Sequence, residues 1–229
     1  MAERSHPDMS FETEARASGF LHVAGVDEAG RGPLAGPVVA GAAILPEHLE
    51  GLPGLNDSKQ LTAAKREALF AALLERADVH CSVGIASTEE IDRLNILRAT
   101  HLAMARAVEG LSLRPDFCLV DGLPVKGLPV PHRAIVKGDG RSLSIAAASV
   151  LAKVTRDRMM TEADAEFPQY GFAKHKGYGT KVHMEALRKS SRSLLSCGAA
   201  EGRTGSSVMP QMGHEPGWFC RIWGCMGQV

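Results

Sequence analysis

Three apolar runs in this chain give out onto carboxylates: residues 20–26 onto Asp27 and Glu28, residues 117–120 onto Asp121, and residues 134–136 onto Asp139 three positions later. Runs this short and this apolar read as strands buried in a sheet. Acids set where strands end constrain the chain toward an open α/β sheet, whose functional crevice lies beyond the strand ends and gathers side chains far apart in sequence. The remaining pattern agrees. Residues 20–26 and 38–45 are two extended candidates joined by a Gly/Pro-rich turn, in the simplest case an antiparallel hairpin. A helix is expected over 62–77, with Leu61, Ala64, Ala68, Ala71 and Leu74 on one stripe, and a third strand over 79–86. Ser87 with Glu90 three residues on is a capping-box signature, opening a helix whose Ile91, Leu94, Leu102, Ala105 and Val108 recur at helical spacing up to Gly110. A further Ala-rich helix is expected over 144–160. Strands first, then helices alternating with strands, predict an α/β fold: a mixed sheet flanked by helices.

Convergence of acids has an electrostatic cost. Two carboxylates about 4 Å apart repel by roughly 4 kcal/mol at an effective dielectric of 20, so several cannot stay ionised together without a cation or a proton. Asp27, Glu28, Asp121 and Asp139 offer oxygen alone, with no His or Cys clustered among them, which favours a hard divalent ion, Mg2+ or Mn2+, over zinc. Taken singly, Asp121 and Asp139 also suit plain turn or cap positions after a strand. Around Asp27 and Glu28, glycines at 25, 30, 32 and 36 free the backbone on either side of one guanidinium, Arg31. Such a loop can approach a sugar-phosphate backbone closely, offering N–H groups and a bidentate donor to phosphate. It is not a dinucleotide fingerprint, because Gly30 and Gly32 are followed by Gly36 rather than a glycine at 35, and no helix follows.

These residues belong to a longer set. Asp27-Glu28-Ala29-Gly30-Arg31-Gly32-Pro33 is followed by Asp57-Ser58-Lys59-Gln60-Leu61, Asp121-Gly122 and Lys137-Gly138-Asp139. Then come Ser144-Ile145-Ala146-Ala147-Ala148-Ser149, Lys153-Val154-Thr155-Arg156-Asp157, Tyr170-Gly171-Phe172 and His175-Lys176-Gly177-Tyr178-Gly179-Thr180. In this order, over about residues 20–189, the chain resembles the type 2 ribonuclease H family, the ribonucleases HII of bacteria. The resemblance implies a ribonuclease H-like fold and an endoribonuclease that hydrolyses the RNA strand of RNA–DNA hybrids. It also implies cutting 5′ of single ribonucleotides embedded in duplex DNA, leaving 3′-hydroxyl and 5′-phosphate ends. On the same ground Asp27, Glu28, Asp121 and Asp139 become the catalytic, metal-binding carboxylates, holding two ions about 3.5–4 Å apart once substrate is bound. Gly30, Arg31 and Gly32 would meet the ribonucleotide 2′-hydroxyl through their backbone, and Tyr178 the sugar on the DNA side of the junction. Lys59, at a helix start, is a candidate phosphate contact, although a capped turn explains Asp57 and Ser58 equally well. Lys137, Arg141, Lys153, Arg156 and Arg158, then Lys174, His175, Lys176, Lys181 and His183, are further basic groups that could support binding, although half of them read equally well as solvated surface and most histidines as surface or simple hydrogen-bonding residues. Asp157 is expected to pair with Arg156 or Arg158.

Lys plus Arg equals Asp plus Glu at 26 each, so no global field holds the protein on a polyanion and any such site is local. The uncharged stretch 32–46 is broken by Pro33, Gly36, Pro37 and Gly41 and falls short of the roughly 20 apolar residues that span a bilayer. The first twenty residues lack the apolar segment of a secretory signal, so a cytoplasmic protein without a membrane partner is expected, acting as a monomer. Cys81 and Cys118 lie in apolar runs and read as small buried hydrophobes. The expected organisation is an extension over 1–17, a catalytic domain over 18–190 and an irregular, disordered tail over 191–229, where the only charges are Arg192, Glu201, Arg203, Glu215 and Arg221. The family usually continues there with a Pro-containing stretch and a basic, aromatic ending, which this chain lacks. A zinc knuckle from Cys197, His214, Cys220 and Cys225 is an alternative use of the tail, at irregular spacing.

Overall fold

The computed structural model describes residues 6–48 and 54–198, with 190–198 described as backbone alone. Strands β1 (Val23–Ala29), β2 (Val38–Ile44), β3 (His80–Ala86), β4 (Phe117–Asp121) and β5 (His132–Ile135) form one mixed sheet in the order β3-β2-β1-β4-β5. The opening pair is the expected antiparallel hairpin, with β3 antiparallel to β2 beyond it. On the other side β4 runs parallel to β1, and β5 parallel to β4.

Side chains alternate along each strand, and both faces of the sheet are covered. Ala24 and Val26 of β1 pack with Ala99, Ala103, Met104 and Ala107 of α4 (Ile96–Glu109). The opposite face carries the long helix α5 (Leu143–Glu166), with α2 (Ala63–Glu75) joining Phe70 and Leu73 to its Val150, Leu151 and Val154. Glycines let the helices sit directly on the sheet. A Cβ at Gly25 would lie 2.1 Å from the Ser144 carbonyl carbon, one at Gly41 2.3 Å from the Ala148 oxygen, and one at Gly84 2.1 Å from the Ala103 oxygen. Backbone there rests on backbone.

Several local expectations shift. On α2 the alanine stripe is the exposed one, because the larger apolar area of Phe70 and Leu73 takes the core and leaves Ala64, Ala68, Ala71 and Leu74 in solvent. The helix opened by Ser87 is two helices, α3 (Thr88–Leu94) and α4, split at Asn95 with φ 70. The Asn95 side chain accepts from the amides of Leu97 and Arg98 at 3.0 and 3.1 Å, so it restarts the helix it interrupts. That re-phasing buries Ala103, Met104 and Ala107 in place of Leu102 and Ala105. β5 starts two residues earlier than expected, and Val136 lies exposed beyond it.

Residues 1–17, expected ahead of the domain, include α1 (Ser10–Ala17), whose Ala15 packs with Val23, Leu119, Ile135 and Ile145. After the short α6 (Phe172–His175), α7 (Lys181–Gly198) runs past residue 190, the expected domain end. The tail over 199–229 and the side chains of the zinc alternative lie outside the described residues. Among the described residues no helix is long and apolar enough to cross a membrane.

Candidate active site

The register of β1 on β4 pairs Val26 with Val120, so the next residues, Asp27 and Asp121, stand side by side toward the ends of two parallel strands. Asp139 reaches them from a one-turn 3-10 helix, Gly138–Gly140, entered through Lys137 at a left-handed φ of 55. The Gly138 amide donates to Asp121 Oδ1 at 2.6 Å, and the Glu28 amide to Asp27 Oδ1 at 2.7 Å. One oxygen from each of Asp27, Asp121 and Asp139 falls within 4.8 Å of the others, and Asp27 and Asp139 are only 4% and 5% exposed. Glu28, adjacent on the strand, belongs to the α4 face, and its carboxylate accepts from Arg31 Nη1 at 3.1 Å. The structure therefore brings three of the four expected acids together and leaves Glu28 beside them.

Burial pushes the Asp27 carboxyl well above its ordinary range, and the charges of Glu28 and Asp121 push it further. Burial also raises Asp121, with Asp139 adding to it, and Glu28, where Arg31 opposes the rise. Lys59 is the local counter-charge, its Nζ donating to Asp139 Oδ2 at 2.8 Å. Burial would depress that ammonium, but the bond and charge of Asp139, helped by Asp27 and Asp57, override it and raise Lys59. Asp57 and Ser58 shape the turn that delivers it. The Asp57 carboxylate accepts from the Lys59 amide at 2.8 Å, and the Ser58 amide donates to Ser149 Oγ of α5 at 3.2 Å.

A pH dependence follows. A carboxyl raised in the folded state holds its proton more tightly there than in the unfolded chain, so stability of the metal-free protein rises as pH falls through the raised values and levels off below about 4. The expected result in chelator is that Asp27→Asn melts above the parent at pH 8 and that the gap closes toward pH 5. A gap independent of pH would show that Asp27 is not strained by its charge.

The turn between β1 and β2 is braced from α5. Arg156, 1% exposed, donates from Nε to the Pro37 oxygen at 2.9 Å, from Nη2 to Ala35 at 3.0 Å and from Nη1 to Lys176 at 3.0 Å. Gly30, at φ 115, passes so close that a Cβ would lie 2.5 Å from the Pro37 oxygen and 2.6 Å from Arg156 Nε. The Leu34 amide donates to the Gly177 oxygen at 2.9 Å, tying the same turn to the segment that carries Tyr178. Tyr178 is 46% exposed, with Lys153 Nζ 5.9 Å from its ring centroid and the Gly32 Cβ position 3.8 Å from its edge. His183 Nδ1 donates to the Tyr178 carbonyl at 3.0 Å, and its ring stacks on His175 at 4.5 Å.

Arg156, His175 and His183, expected among the basic groups of a binding surface, are therefore buried supports of the two loops. Asp157 pairs with Lys153 at 2.7 Å and faces Arg66 at 3.9 Å, rather than Arg156 or Arg158. Arg158 bonds Glu67 instead, and the Arg141 guanidinium lies 4.9 Å from the Phe11 ring centroid. A signal for Arg156 is present in the sequence: it falls four residues from Ala152 and from Met160, on a buried face of α5.

A mixed sheet whose adjacent parallel strands bring buried, all-oxygen donors together forms a site suited to a hard divalent ion, the kind of site on which phosphodiester-cleaving hydrolases are built. Comparison with known proteins narrows this. The family model for ribonuclease HII matches residues 24–195. Ribonuclease HII of Desulfitobacterium hafniense is 56% identical over 82% of this chain and 72% of its own length, and that of Sinorhizobium fredii 58% identical over 79% and 78%. The crystal structure of ribonuclease H2 from Pyrococcus horikoshii superposes with a TM-score of 0.66 at 32% identity, covering 76% of this chain and 89% of that one. The chain belongs to the ribonuclease HII family, and is an endonuclease that hydrolyses the RNA strand of RNA–DNA hybrids.

Proposed function

We propose that the enzyme also cuts on the 5′ side of single ribonucleotides in duplex DNA, using Mg2+ or Mn2+, with one ion bound by the carboxylates alone and two held once substrate is bound. The observation that carries this reading is the placement of the glycine turn, braced by Arg156 against the Tyr178 segment, beside the cluster of Asp27, Asp121 and Asp139. Those three aspartates would hold the metal, and Glu28, now bonded to Arg31, would be a further ligand from the neighbouring face. A divalent ion bound there would supply Lewis-acid activation of water and charge stabilisation for the leaving 3′-oxygen.

The rest is positioning by the chain. Amides of residues 30–32, free of side-chain bulk at Gly30 and Gly32, receive the 2′-hydroxyl, the group that separates RNA from DNA at a given site. Held this way, the ribonucleotide fixes which phosphate faces the carboxylates, and an all-DNA strand lacks the handle. Lys59, once its pairing with Asp139 is relaxed by a cation, reaches a non-bridging phosphate oxygen, and Arg31 does the same once Glu28 turns away. Tyr178 packs its exposed ring on the deoxyribose across the junction.

The test is a DNA duplex with one ribonucleotide, incubated with Mg2+, with Mn2+ and with chelator, beside an all-DNA control. One metal-dependent cut 5′ of the ribonucleotide is expected, with the control intact; equal cutting of both duplexes rejects the proposal. Tyr178→Ala is expected to weaken junction cleavage by about 1–3 kcal/mol, the scale of one stacking contact, while metal affinity stays at the parent value. A matched loss of thermal stability with parent activity per folded molecule would assign Tyr178 to the scaffold instead.

A further inference from the structure

Glu12 of α1 stands ahead of the residues the family model matches, and is 0% exposed. Its Oε1 accepts from Ser142 Oγ at 2.6 Å, the Ser144 amide at 2.9 Å and Ser144 Oγ at 2.6 Å. Ser142 is the residue that caps α5, with its own Oγ accepting from the Ile145 amide at 3.2 Å. Backbone bonds reinforce the clasp: the Asp8 amide donates to the Arg141 oxygen at 3.2 Å, and the Leu143 amide to the Asp8 oxygen at 3.0 Å.

On its other side, the clasped segment holds the 3-10 turn. The amides of Arg141 and Ser142 donate to the Gly138 oxygen at 2.9 and 2.8 Å. That turn carries Asp139, and its Gly138 amide is the donor to Asp121 Oδ1. It is one turn long and is entered through a non-glycine residue in the left-handed region, a conformation that persists where the surroundings over-determine it. Glu12 and Asp8 are part of those surroundings.

We infer that Glu12 is a positioning residue of the metal site: from α1 it holds the turn that presents Asp139 and the Gly138 amide, and so sets the affinity for a divalent cation. The inference rests on reading Asp27, Asp121 and Asp139 as the metal ligands. If Glu12 did no more than dock α1 and cap α5, its loss would lower the melting temperature and leave the folded protein's metal affinity unchanged.

The experiment titrates Mn2+ calorimetrically into the substrate-free full chain, well below its melting temperature, and follows amide exchange over residues 137–143. Glu12→Ala and the double variant Ser142→Ala/Ser144→Ala are expected to weaken Mn2+ binding by roughly tenfold or more, the usual scale for a group that orients a ligand, and to speed exchange in that segment. At saturating Mn2+ kcat recovers while KM for the duplex moves little, and Glu12→Gln, which keeps an acceptor oxygen, loses less than Glu12→Ala. If Glu12→Ala does not fold, the double serine variant, which leaves Phe11 and Ala15 in place, decides alone. Folded variants that bind Mn2+ as the parent does overturn the inference. A parent chain that binds no Mn2+, or Asp139→Asn binding as tightly as the parent, overturns the ligand reading and the inference with it.

Discussion

Asp27→Asn and Asp121→Asn each lose cleavage of the single-ribonucleotide duplex by about a thousandfold or more, and both metal-free variants melt above the parent. The two effects have one cause. Counting only one of the ion's two charges, removing a carboxylate charge about 4 Å away in a site with an effective dielectric near 20 forfeits roughly 4 kcal/mol, which is about three decades in rate and the least loss expected. Without metal the same charge only repels its neighbours, so its removal stabilises the fold, and each ~1 kcal/mol gained raises the melting temperature of a domain this size by about 2–4 °C. Asp27→Asn keeps the side-chain oxygen that accepts from the Glu28 amide, and Asp121→Asn the one that accepts from the Gly138 amide, so local geometry survives both changes. Rates under fixed Mn2+ and melts in chelator check the pair of outcomes together. A variant that keeps a tenth of the parent rate, or melts below the parent without metal, would remove its aspartate from the site.

Arg156→Ala is expected to be nearly as damaging by a different route. The guanidinium satisfies the carbonyls of Ala35, Pro37 and Lys176 at once, and truncation leaves up to three buried acceptors unpaired at ~1–3 kcal/mol each. A loss of about 3–5 kcal/mol in stability is expected, together with a fall of roughly a hundredfold in cleavage per folded molecule, because the turn proposed to receive the 2′-hydroxyl and the Tyr178 segment are no longer tied. Arg156→Lys, with one point charge in place of a planar fork, falls between, since it cannot reach three carbonyls. Mn2+ affinity is the internal control, because Arg156 touches none of the clustered carboxylates. A parent-like kcat/KM in Arg156→Lys would show that burial of a cation, rather than the fork, is what the site requires.

The strand-end acids are legible in the sequence because a strand's length and polarity fix where it surfaces. What is not legible is register. That Val26 faces Val120, and therefore that Asp27 neighbours Asp121, depends on a pairing between segments over ninety residues apart. Glu28 shows the limit most clearly: its motif marks it for the cluster, yet the two-residue period of a strand turns it to the α4 face, toward Arg31. The alanine-rich α2 misleads for another reason, since alanine is small enough to be indifferent to burial and Phe70 and Leu73 decide the face. Arg156 and Glu12 escape because charge is a surface signal until its partners are known, and here the partners are backbone carbonyls of other loops and a pair of serines 130 and 132 residues away.

The glycine seats at Gly25, Gly41 and Gly84 bear on how such a chain can change over generations. Where layers meet through side chains, a core drifts by exchange, one residue swelling as its neighbour shrinks. Here that exchange is closed at three points, since even the smallest added carbon would press to within 2.1–2.3 Å of a peptide group on α4 or α5. Outer helix faces and surface turns are free to be rewritten by descent. The spacing between β1 and α5 is not, because any side chain at Gly25 would have to push the Ser144 backbone away and carry the strand that bears Asp27 with it.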